Sequence, residues 1–109
     1  MSKKYERLWG WYTLLYDDDH SNHKVKKMFI NPGGKIPLQS HNDRSEHLVV
    51  VNGKANVIVN NIINTIQPNE YIYIPQKAPH SIENNEASLL EIIVTLHGKY
   101  LGEDDIVRY

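Results

Sequence analysis

No cysteine occurs among the 109 residues. Disulfides, thiolate nucleophiles and cysteine-based zinc knuckles are therefore excluded, and any metal must be held by nitrogen and oxygen ligands. Long apolar runs are also missing: none approaches the roughly 20 residues that cross a bilayer as a helix, so no membrane association is expected. Charge of one sign is scarce as well. The formal net charge is −1, and the basic residues are scattered rather than clustered, which argues against a nucleic-acid surface built on phosphate contacts. The basic start, Met1 to Arg7, is followed by neither an apolar segment nor a small-residue cleavage site, so a cytoplasmic location is expected. A chain of this length buries only about two-thirds of its unfolded surface, and one domain over residues 1–109 is the expectation.

What is present is alternation. Apolar residues recur with a period near two far more often than near 3.6, which predicts an all-β fold. Candidate strands are Trp9–Leu15, Lys24–Ile30, Glu46–Val51, Ala55–Val59, Ile62–Ile66, Tyr71–Ile74, His80–Asn84 and Leu89–Leu96, rich in Val, Ile and Tyr. The separators suit turns: Pro32-Gly33-Gly34, Asn52-Gly53, Asn60-Asn61 and Pro68-Asn69. Short strands at this spacing predict a sandwich or a barrel, and closure removes exposed edges. The aromatic run Trp9-Gly10-Trp11-Tyr12 is expected to cap the barrel mouth or to pack in a dimer interface. Asp17-Asp18-Asp19 reads as a solvated loop, because successive side chains of an extended chain point in alternating directions and no calcium loop follows.

The chemistry is concentrated in Gln39-Ser40-His41-Asn42-Asp43-Arg44-Ser45-Glu46 and in Pro79-His80. On a strand, residues two apart face the same side, so Gln39 and His41 can point into the barrel together while Ser40 points away. Glu46 opens the next strand after a short polar turn and can aim its carboxylate at the same volume. His80, behind the rigid Pro75-Gln76-Lys77-Ala78-Pro79 turn, can supply a fourth ligand from across the barrel. Singly, each residue has a duller reading as a hydrogen-bonded core group or a surface polar group. Jointly, an amide oxygen, two imidazoles and a carboxylate suit one divalent metal: zinc, iron, manganese, cobalt or nickel.

These residues resemble the two motifs of the cupin superfamily. Gly33, Gln39-x-His41, four residues, Glu46, six residues and Gly53 follow the first motif. Asn69, five residues, Pro75-x-Lys77, two residues, His80, three residues and Asn84 follow the second, with Asn69 and Lys77 standing where the motif has glycine. Where most cupins have histidine, Gln39 instead resembles the metal site of phosphomannose isomerases. The resemblance to the type II mannose-6-phosphate isomerase domain runs from Trp9-Gly10-Trp11-Tyr12 through Arg44-x-Glu46-His47 and Tyr73-Ile74-Pro75 to Tyr100-Leu101-Gly102-Glu103-Asp104-Asp105-Ile106-Val107-Arg108. Departures are Leu8 for the family's proline and Asn42 and Asp43 for its frequent histidines.

The resemblance implies a small, jelly-roll-like cupin β-barrel, free-standing here, whereas in the family it is often joined to a mannose-1-phosphate guanylyltransferase. It implies Gln39, His41, Glu46 and His80 as metal ligands and the interconversion of mannose 6-phosphate and fructose 6-phosphate through an enediol, in the route to GDP-mannose. Lys35, His47 and Glu103, with Asp104 and Asp105 behind them, are the expected proton carriers. Arg44, Arg108 and Lys77, with Lys35 in reserve, are the expected phosphate donors at the barrel mouth. The expected partners are a phosphorylated sugar and a second copy of the chain in a homodimer. The alternatives are a sugar-binding cupin without turnover and another cupin enzyme, such as a sugar-nucleotide isomerase or epimerase.

Overall fold

The computed structural model describes residues 3–18 and 20–109. Asp19 of the acidic triplet lies outside them; Asp18 is exposed outside any strand, as expected of a solvated loop, whereas Asp17, also exposed, is the last residue of a strand. Among the described residues there is no helix, and the strands are β1 (Tyr5–Arg7), β2 (Gly10–Asp17), β3 (His23–Ile30), β4 (Lys35–Ser40), β5 (Arg44–Asn52), β6 (Ala55–Val59), β7 (Ile62–Ile66), β8 (Tyr71–Ile74), β9 (His80–Glu83), β10 (Leu90–Gly98) and β11 (Val107–Arg108). They form two antiparallel sheets, ordered β1-β2-β3-β10-β5-β8 and β11-β4-β9-β6-β7.

The alternation in the sequence becomes the division between core and surface. On β10, Leu90, Ile92, Val94 and Leu96 are buried between the sheets while the residues between them face outward. Each such side chain contributes about 1.5–3 kcal/mol on burial. Ile30, Leu48, Val50, Val57 and Ile74 meet them from neighbouring strands. Asn84 is fully buried and holds one end of this core: its amide donates to the carbonyls of Ile30 and Ser88, both at 2.9 Å.

The turn chemistry explains the register. Asn60 and Asn61 both have positive φ, 50° and 67°, the pairing that a two-residue hairpin between right-twisted strands needs. Asn69 and Lys77, at the glycine positions of the second motif, also take positive φ, 72° and 67°. Gly10 is required for another reason, since a Cβ there would strike the Phe29 carbonyl on β3.

Two strands were not expected from sequence, and a third, Lys35–Ser40, was anticipated only around Gln39. Tyr5–Arg7 and Val107–Arg108 are too short to carry a pattern, and each exists because a longer neighbour pairs with it. Lys35–Ser40 contains Pro37, which argues against an inner strand. The ladder between β4 and β9 is irregular between Ile36 and Gln39, so the missing donor falls where the pairing is already broken.

Candidate metal centre

Strands β4, β5 and β9 bring the ligands together. Gln39 lies opposite His80 in the register of β4 and β9, His41 follows the last residue of β4, and Glu46 sits on the inner face of β5. His41, Glu46 and His80 are buried, and one ligand atom from each lies within 4.8 Å of the others. Gln39 is half-buried on the wall of the same cavity, whose volume is about 390 Å³.

Backbone carbonyls set both imidazoles. The Asp105 carbonyl lies 2.7 Å from His41 Nδ1 and the Ala78 carbonyl 2.9 Å from His80 Nδ1. A carbonyl only accepts, so Nδ1 carries the proton in each ring and Nε2 is left with its lone pair, the arrangement that outer partners impose on metal-binding histidines. Burial pushes the His41 imidazole below its ordinary value, and Arg44 adds to this against the opposing pull of Glu46; a neutral ring is the ligating form. Two imidazole nitrogens and a carboxylate, buried together without a thiolate, fit a divalent ion with nitrogen and oxygen preference.

Arg44 is also buried here, although the sequence reading placed it at the mouth. Its Nε donates to Glu46 Oε2 at 3.0 Å, Nη2 approaches His41 Nε2 at 3.2 Å, and Nη1 reaches Glu103 Oε2 at 3.4 Å. The guanidinium fork therefore spans the ligand group and the carboxylate beyond it. Glu103 accepts from Lys26 Nζ on both oxygens, at 2.9 and 3.0 Å, and from the Tyr12 hydroxyl at 3.1 Å. Burial alone would raise the Glu103 carboxyl, but Lys26 and Arg44 hold it below its ordinary value. Burial and Glu103 push the Tyr12 phenol up to about 12.

The other expected residues divide. Lys35, Glu103 and Arg108 line the cavity, with the exposed Lys35 ammonium 3.0 Å from Glu83. His47 does not face it: the alternation that turns Glu46 inward turns His47 outward, against the Tyr73 ring at 4.9 Å. Lys77 sits in an exposed turn, where its N–H donates to the His41 carbonyl at 2.7 Å. Asp105 acts through the backbone, both its oxygens accepting from the N–H groups of Asn42 and Asp43 at 2.9 Å. Asp104 accepts from the Tyr100 hydroxyl. Asp104 and Asp105 are thus absorbed by partners, while Glu103 alone of the acidic run lines the cavity.

Sequence reasoning missed Arg7 and Lys26 as cavity residues. The signal for Lys26 was available, since it shares the inward face of β3 with Met28 and Ile30 at a spacing of two. In the aromatic run, Trp9 and Tyr12 line the cavity, while Trp11 stacks on Phe29 at 4.8 Å.

Comparison with known proteins agrees with this geometry. The chain is 38% identical over 109 residues to the mannose-1-phosphate guanylyltransferase ManC of Salmonella typhimurium, covering 100% of this chain and 22% of that protein. It is 40% identical over 103 residues to the mannose-1-phosphate guanylyltransferase of Escherichia coli K12, covering 94% and 21%. It therefore spans about a fifth of the length of these relatives. Among solved structures, oxalate decarboxylase from Bacillus subtilis superposes with a TM-score of 0.85 at 18% identity, covering 98% of this chain and 30% of that one. The cupin domain of Schizosaccharomyces pombe Cnp3 superposes with a TM-score of 0.78 at 14% identity, covering 84% and 66%. These two likenesses show the cupin fold. The model of the family described as mannose-6-phosphate isomerase C-terminal matches residues 1–109, and the chain belongs to that family.

Proposed function

We propose that this domain is a metal-dependent mannose-6-phosphate isomerase, interconverting mannose 6-phosphate and fructose 6-phosphate and so feeding GDP-mannose synthesis. One observation carries the reading: a buried His41, Glu46 and His80 group, with Nε2 unprotonated on both rings and that of His41 accepting from Arg44 Nη2, shares its cavity with an ionised carboxylate and several cations. Family membership and the mannose chemistry in the relatives' names support it.

Gln39, His41, Glu46 and His80 would hold one divalent ion, zinc being favoured because the reaction needs no change of redox state. When bound, it supplies Lewis-acid stabilisation of charge on the sugar's O1 and O2. The protein's own groups handle the proton. Glu103, kept ionised by Lys26 and Arg44, takes the proton from C2 of the aldose; the electron pair of that C–H bond becomes the C1–C2 double bond as O1 gains a proton. Return of the proton to C1 and loss of the O2 proton leave the ketose. Lys35, at the rim, is the second choice for this role. Arg44 orients Glu46 through its Nε and Glu103 through Nη1. The apolar wall of Met28, Ile82, Val94 and Leu96 limits water access to the enediol.

The test is product formation from mannose 6-phosphate, with elemental analysis of the same sample and a parallel arm in chelator. Turnover that disappears with the metal supports the reading. Bound metal without turnover replaces it with a sugar-binding cupin. The proposal extends to a homodimer through the outer face, where Val49, Tyr71 and Tyr73 are exposed and uncharged; a monomer in light scattering contradicts that part.

A further inference from the structure

Five cationic side chains line the cavity: Arg7, Lys26, Lys35, Arg44 and Arg108. Three have carboxylate partners. Lys26 meets Glu103 at 2.9 Å, Lys35 meets Glu83 at 3.0 Å, and Arg44 meets Glu46 at 3.0 Å. Among the described residues, no carboxylate lies in ion-pair range of Arg7 or Arg108. Both guanidiniums are on exposed residues, and both face the same cavity. From these observations we propose that Arg7 and Arg108 form a subsite for a phosphomonoester dianion at the cavity mouth, Arg7 being a substrate-binding residue in its own right.

The fold builds this pair from opposite ends of the topology. Arg7 closes β1, the outermost strand of one sheet, and Arg108 lies on β11, the outermost strand of the other. Each is held in place. The Arg7 guanidinium lies 5.4 Å from the centroid of the Tyr12 ring, which is buried and stacked on Tyr5 at 4.8 Å. A cation over an aromatic face is attracted by the ring's quadrupole, so Tyr12 supplies a fixed platform. One Arg7 nitrogen donates to the Glu6 carbonyl at 2.8 Å, which leaves other donors of the fork for a ligand. Arg108 pairs with Gln39 in the register of β11 and β4, and the next residue, Tyr109, bonds Ser40 through its hydroxyl at 3.0 Å.

The chemistry of the ligand follows from charge and shape. Two uncompensated guanidiniums match the two charges of a phosphomonoester, and each planar fork pairs with two of its oxygens. Arg44 is unsuited to this task, because it is buried and each of its three nitrogens already faces a partner, Glu46, His41 or Glu103. Since Arg108 stands beside Gln39, the phosphate is held next to the ligand group but on the solvent side of it. The carbon chain of a sugar phosphate can then extend inward. This assignment rests on the reading of the cavity as a sugar-phosphate site.

The experiment is calorimetric titration of the full chain with mannose 6-phosphate, mannose and inorganic phosphate. It uses the parent, Arg7→Met, Arg108→Met, and Lys54→Met as a surface control, since Lys54 lies outside the cavity wall. Loss of one charge-assisted pair weakens binding by about tenfold to a hundredfold. Arg7→Met is therefore expected to bind mannose 6-phosphate and inorganic phosphate at least about tenfold more weakly, with the weak affinity for mannose unchanged and with KM rather than kcat carrying the defect. Equal weakening of mannose and mannose 6-phosphate would overturn the subsite, as would parental phosphate binding in both arginine variants. If the parent binds inorganic phosphate through these arginines but does not isomerise the sugar, the subsite stands and the isomerase reading falls. If the parent binds neither phosphate nor the phosphorylated sugar, both fall.

Discussion

The two ends of the cavity are built on opposite plans. At the inner end, His41, Glu46 and His80 are buried, and their positions are set by Asp105, Ala78 and Arg44. At the mouth, Arg7 and Arg108 are exposed on short outermost strands and have no carboxylate partner among the described residues. The inner end is organised before any ligand arrives, which suits directional coordination and proton transfer. The mouth offers charge on long side chains, which suits capture of an anion whose orientation matters less. A defect at the inner end should remove chemistry; a defect at the mouth should only weaken binding.

The comparison breaks most visibly at the ligands. His41→Ala and His80→Ala should each reduce bound metal from stoichiometric to background in elemental analysis and abolish isomerisation, with the fold retained in circular dichroism. Stoichiometric metal in both variants would remove the ligand assignment.

The next effect lies one layer out. Asp105→Ala removes two carboxylate bonds to the Asn42 and Asp43 backbone, each of a kind worth about 1.5–3 kcal/mol. Urea unfolding should show a loss of several kcal/mol at most, and metal affinity should fall by about tenfold to a hundredfold. Unchanged metal affinity would mean that the His41 loop does not depend on this clamp.

The Lys26 and Glu103 pair gives a pH signature. Because the folded-state pKa of Glu103 lies below its ordinary value, the contribution of the Glu103 carboxylate to stability is complete above its unfolded pKa, whereas burial pushes the Lys26 ammonium down. The carboxylate's contribution is lost as pH falls through the depressed folded value. In Lys26→Met, burial is less opposed, so the acid limb of kcat/KM and the acid onset of unfolding should both move to higher pH. An acid limb that stays in place assigns the proton carrier to another group. The smallest effect is expected at Lys77, whose φ of 67° carries a steric cost of about 1–2 kcal/mol for a residue with a Cβ. Lys77→Gly should raise the thermal midpoint slightly and leave phosphate binding unchanged, since this side chain lies outside the cavity wall.

Much of the inner end was legible from spacing. Gln39-x-His41 followed by Glu46 reads directly as an inward-facing set because the period of a strand is two. That same rule, applied to the next residue, turns His47 outward, where the structure has it. Lys26 was legible on the same grounds. The mouth was less so. Arg7 lies on a strand of three residues whose existence depends on pairing with β2, and its approach to the cavity depends on the Tyr12 ring beneath it. The burial of Arg44 is likewise a tertiary fact. Its nearness to Glu46 follows from the period of two on β5, but the contact with Glu103, 59 residues away, is reported by no local pattern.

The central claim is that the His41, Glu46 and His80 group holds, with Gln39, the metal on which isomerisation depends. Zinc titration of chelator-treated protein, with the rate of fructose 6-phosphate formation followed at each addition, tests it most directly. The rate should rise from background and level off at one equivalent of zinc per chain. A rate that is unaffected by chelation, or that stays at background at every zinc concentration while the protein remains folded, would contradict the account.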